Sequence, residues 1–119
     1  DWNEEARIGD WIGFSVDFLS YGLARLRFEL LFGNGKGPIY DYFKTSADRG
    51  LSLLEPHLKN NQWLACERPT IADISVYPVM TYLTDGGYDT SDFSGITLWM
   101  ERFQSLQGFG TQSKLMPDV

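Results

Sequence analysis

From Ile8 onward, apolar residues recur every three or four positions in two parallel rows. One row is Ile8, Ile12, Val16, Leu19, Leu23, Leu26 and Leu30; the other is Trp11, Phe14, Phe18 and Tyr21. This spacing predicts a long first helix. Asn3 is placed to cap it, with Glu4 and Glu5 in the first turn, where the helix dipole favours acids. The polar face is narrow: Asp10, Gly13, Asp17, Ser20 and Arg27. A helix apolar over most of its girth is covered on more than one side. Its own bundle supplies one cover, and a further domain, a partner subunit or a ligand supplies the rest.

Gly33-Asn34-Gly35-Lys36-Gly37 breaks the pattern, and Pro38 suits a first helical position. The second helix is expected to bury Ile39, Tyr42, Phe43, Ala47, Leu51, Leu54 and Leu58, with Pro56 bending or tightening its last turn and Asn60-Asn61 ending it. A third helix is expected over 70–83, stopping at Asp85-Gly86-Gly87 and kinked at Pro78. A fourth carries Ile96, Trp99, Met100, Phe103 and Leu106, after which Gly108 and Gly110 loosen the chain. No stretch alternates as a strand would, and no segment repeats. The expected class is all-α, a helical bundle.

The 119 residues suggest one domain, 1–119, which buries roughly two-thirds of its unfolded surface. The net charge of −6 argues against phosphate backbones, so no nucleic-acid partner is expected. No apolar run approaches the ~18 residues of a membrane span and no signal peptide is visible, so no membrane partner is expected. A single cysteine excludes an internal disulfide and fits a reducing, cytoplasmic compartment.

Candidate chemistry is sparse. The glycine-rich connector is neither GxGxxG nor GxxxxGK[ST], and no strand precedes it, so a flexible linker is the better reading than a phosphate cradle. His57 has no second histidine for a metal pair, and no metal site is expected. Cys66 lies beside both Glu67 and Arg68, which offset one another, and reads as an inert thiol. The carboxylates, Asp17 and Glu29 among them, read as solvated helix surface. Arg25 falls near the aromatic row, where a guanidinium wants an acid or an anionic ligand. Tyr21 lies one turn earlier, so Tyr21 and Arg25 together are candidates to line a ligand site.

Thr70 followed three residues later by Asp73 is a capping box with Asp in place of Glu. The Thr70 hydroxyl is expected to accept from the amide of Asp73, whose carboxylate accepts from the amide of Thr70. Pro69 and Ile74 are placed for a hydrophobic staple. The box accounts for the polar residues of the stretch, so Asp73 is read as structural and no catalytic residue is assigned.

The stretch Trp63-Leu64-Ala65-Cys66-Glu67-Arg68-Pro69-Thr70-Ile71-Ala72-Asp73 resembles the W-L-x-G-x-x-P-T-x-A-D motif of glutathione transferases, where it opens a buried central helix of the C-terminal domain. Leu31-Phe32-Gly33, Ser52-Leu53-Leu54-Glu55, Tyr77-Pro78 and Trp99-Met100-Glu101-Arg102 fit the same family over nearly the whole chain. Cys66 departs from the family's usual glycine. The resemblance implies that the thioredoxin-like N-terminal domain, which carries the glutathione site and the thiol-activating residue, is not part of this chain. This chain is then half of an enzyme, inactive alone, and glutathione is a co-substrate rather than a cofactor. The remaining half implies a pocket for a hydrophobic electrophile at Ser20, Tyr21, Ala24 and Arg25, and part of a homodimer interface. An alternative within the same fold is a non-catalytic interaction module of the translation-factor or aminoacyl-tRNA synthetase type. A third is an independent four-helix bundle.

Overall fold

A computed structural model describes residues 1–106. Helix α1 (Trp2–Phe14), a π-helical stretch (Ser15–Ser20) and α2 (Tyr21–Leu31) follow one another without a break. Helix α3 (Pro38–Asn60), α4 (Ile71–Met80), a short 3-10 turn (Thr90–Asp92) and α5 (Ser94–Gln104) complete the order, with no strand among the described residues. The class is all-α, as the periodicity implied.

The first row of apolar residues divides. Leu19, Leu23 and Leu26 are fully buried, whereas Val16 is 60% exposed and Ser15 takes an inward place. The π-helical stretch sits at this point. Its wider turns have nearly α-helical backbone angles, so a 3.6-residue pattern does not reveal them. The capping residue of α1 is Asp1 rather than Asn3: its Oδ1 accepts from the Glu4 amide at 2.8 Å, and the helix opens at Trp2.

Helix α3 crosses this long element closely. A Cβ on Gly22 would lie 2.8 Å from the Ala47 nitrogen, so this position needs glycine for the approach, and Gly50 also faces the Leu19 side chain closely. Pro38 opens α3 and Asn61 caps its end, as expected. Its inward face differs by one residue at the start: Ile39 and Tyr42 are exposed, and Tyr40 is buried instead, its hydroxyl donating to the Gly86 carbonyl at 2.8 Å. Ala47, Leu51, Leu54 and Leu58 face inward as predicted.

Helix α4 ends at Met80, two residues past Pro78, and residues 81–87 continue as turns from which Leu83 still reaches the core. Leu106 lies in the turn after α5, and Gly108 and Gly110 fall outside the described residues. Pro69 and Ile74 are both exposed, so the expected staple buries little.

The carboxylates are not all on the surface. Glu29, Glu55 and Asp73 are buried, while Asp17 is exposed as expected. Glu55 reaches across from α3 to the start of α5, where its two oxygens accept from the amides of Gly95 and Ile96, each at 2.8 Å. Helix α5 has no side-chain cap of its own, so this carboxylate satisfies the free first-turn amides and meets the positive end of the dipole.

Candidate functional site

Ser20 closes the π-helical stretch, and Tyr21, Ala24 and Arg25 follow on the first turns of α2. Tyr21, Ala24 and Arg25 are exposed and Ser20 is half-buried. The structure brings Tyr21 and Arg25 together through a residue that the sequence reading had placed only in the core. The Phe43 ring of α3 packs edge-on against Tyr21 at 5.1 Å and lies 5.2 Å below the Arg25 guanidinium. Phe28 flanks the same guanidinium at 5.4 Å, and Tyr42 extends the aromatic row beyond Phe43 at 5.1 Å.

The question posed by Arg25 has an answer inside the chain. Its Nε lies 3.3 Å from the buried Glu29 carboxylate, one turn on. Arg25 is therefore neutralised by its own helix, with its guanidinium near the Phe28 and Phe43 rings, an arrangement that suits cation–π contact rather than anion capture. Glu29 and Phe43 were missed. The four-residue spacing from Arg25 to Glu29 was the available signal for the first; nothing local marks the second. Ser20 and Ala24 share this side of the helix by spacing alone.

The capping box forms. Thr70 is extended at the N-cap and both halves of the box are present, with Asp73 Oδ2 accepting from the Thr70 amide at 2.9 Å; the Thr70 hydroxyl also accepts from Ala72 at 3.2 Å. Asp73 does more than cap. Its Oδ1 accepts from the Leu64 amide at 3.1 Å and from the Trp99 indole at 2.9 Å, with the carboxylate fully buried. The carboxylate is fully buried with both oxygens engaged by structural donors, so it is not exposed to a substrate.

A cleft of about 530 Å³ lies between the start of α1, the end of α3 and the loop before α4. Trp11, His57 and Trp63 supply rings; Arg7, Cys66 and Arg68 are at its edge. Arg68 forks onto Glu4 at 2.9 and 3.1 Å, and the guanidinium holds the Glu4 carboxyl down at about 2. Because the folded chain lowers this carboxyl, the pair stabilises fully above the ordinary value of 4.5 and the contribution is lost as pH falls toward 2. Acid unfolding of Glu4→Gln should accordingly show a flatter pH dependence of stability between about 4.5 and 2 than the parent chain, measured by urea midpoints.

The helical bundle and its capping box define an all-α domain, without a strand among the described residues. Residues 13–107 match the family model described as glutathione S-transferase, C-terminal domain, and the chain belongs to that family. Among solved structures it is similar to a glutathione S-transferase from Pseudomonas fluorescens (25% identity, TM-score 0.84, covering 90% of this chain and 55% of that one). It is also similar to glutathione S-transferase unclassified 2 from Bombyx mori (30%, 0.74, 91% and 50%). The glutathione S-transferase-like domain of elongation factor 1-gamma from Saccharomyces cerevisiae shares the fold (21%, 0.77, 89% and 50%). No curated protein matches significantly. The chain spans about half the length of these solved structures.

Proposed function

We propose that this chain is the electrophile-binding half of a glutathione transferase, one domain that works when joined to a thioredoxin-like half carrying glutathione. The observation that supports this reading most is the open α2 face, where Tyr21, Phe43, Phe28 and the charge-neutralised Arg25 present flat, apolar surface to whatever packs there. Such a face binds a hydrophobic electrophile by area and stacking, while a thiolate held by the other half attacks it. Ser20 and Ala24 complete the same side. The Tyr21 hydroxyl is placed to donate to charge that develops on the electrophile. Exposed Phe32, Leu31 and Ile39 are available to the partner half and to a second subunit in a homodimer. No helix is long and apolar enough to cross a membrane among the described residues, and a cytoplasmic setting suits the single free thiol.

The test is conjugation of a chromogenic electrophile to glutathione by the 119-residue chain alone. The expected result is no turnover above the uncatalysed rate and no retention on immobilised glutathione. Turnover by this chain would contradict the division of labour.

A further inference from the structure

The cleft beside Cys66 shares no residue with the α2 face, and its walls are fixed in advance. The Leu64 carbonyl lies 2.8 Å from His57 Nε2, and the Ala65 carbonyl accepts from Arg7 Nε at 2.9 Å. A carbonyl only accepts, so the His57 proton sits on Nε2. Its Nδ1 faces the Asn61 amide at 3.5 Å. The loop is thus pinned from α3 and from α1, and the Leu64 amide is held again by Asp73. Side chains locked in this way make a preformed rather than an induced site.

The charges are unevenly engaged. Arg68 and Glu4 satisfy each other through two hydrogen bonds. Arg7 uses only its Nε; among the described residues neither terminal nitrogen has a hydrogen-bond or ion-pair partner. A guanidinium held at Nε and free at both ends offers the fork that matches a carboxylate. The Trp11 and His57 rings stand 4.6 Å apart beside it, with Trp63 buried behind. Glu67 at the edge disfavours a second negative charge.

We propose that this cleft is a small-molecule site for a planar aromatic monocarboxylate, its ring against Trp11 and His57 and its carboxylate on the Arg7 fork. The volume of about 530 Å³ accommodates such a ligand. The proposal is independent of the electrophile face and stands or falls separately from it.

The test is an NMR titration of the 15N-labelled 119-residue chain with benzoate, read at the amides of Ala65 and Cys66 and at the Trp11 indole. Saturable shifts below about 10 mM are expected, the range ordinary ligand efficiency allows. Benzyl alcohol, with the same ring and no charge, should bind at least ~10-fold more weakly, because a bidentate charged contact is lost. Arg7→Gln should weaken benzoate by a similar factor. Equal affinity for benzyl alcohol, or shifts that never saturate or centre on other residues, would overturn the proposal. The comparison of the two ligands on the unmodified chain decides it even if the variant does not fold.

Discussion

Asp73→Ala is expected to lower the stability of this chain by about 3–5 kcal/mol, the sum of several donors left without acceptors at about 1–3 kcal/mol each, less what relaxation recovers. The three donors belong to different parts of the fold: the Thr70 amide at the start of α4, the Leu64 amide in the loop, and the Trp99 indole on α5. The carboxylate is therefore a junction, and an N-cap value of about 1 kcal/mol understates it. Urea unfolding checks the magnitude. Asp73→Asn retains one acceptor oxygen but turns an amide donor toward other donors, so it should fall between alanine and the parent. A loss of activity in a protein joining this chain to a thioredoxin-like half, with unchanged stability, would contradict the structural role.

Glu55→Ala is expected to cost about 2–4 kcal/mol, since two buried first-turn amides of α5 lose their acceptor and no side chain of α5 replaces it. Gly95 is part of the same device. A Cβ there would meet a Glu55 carboxylate oxygen at 2.7 Å and the Lys59 amide at 2.9 Å, so only glycine lets the carboxylate this close. Glu55→Gln keeps one acceptor and should recover about half of the loss. Amide hydrogen exchange gives the local readout: Gly95 and Ile96 should lose protection in Glu55→Ala by more than α3 does. Uniform loss across the chain would mean that the carboxylate serves general packing instead.

These two carboxylates show what local pattern can and cannot convey. The box between Thr70 and Asp73 was legible because its partners are three residues apart and its chemistry is fixed by helix geometry. Trp99, 26 residues away, joins the same carboxylate only through the packing of α5 on α4, and no spacing rule reaches that far. Glu55 was read as surface for the same reason: it caps a helix 40 residues downstream. The apolar rows located the helices and assigned Ile39 and Tyr42 to the core, but for the first helix they did not say which residues face the bundle; Val16, Ile39 and Tyr42 are all exposed. Val16 lies in a π-helical stretch, and at the start of α3 Tyr40 takes the inward place instead. At the candidate site, Tyr21 and Arg25 were found by position. Glu29, which resolves the charge of Arg25, sits at a legible four-residue spacing, whereas Phe43 enters from another helix.

The α2 face carries the proposed function, and it is tested most directly by steady-state conjugation kinetics of Tyr21→Ala in a protein that joins this chain to a thioredoxin-like half, the arrangement the proposal requires. The ring packs on Phe43 at the edge of an exposed surface, so its removal should spare the fold and reduce the apolar area offered to the electrophile. A loss of about 1–1.4 kcal/mol of that contact predicts a KM for a hydrophobic electrophile raised about 5- to 10-fold, with the KM for glutathione unchanged within about twofold. A KM for the electrophile that stays the same, or one for glutathione that rises with it, would contradict the account.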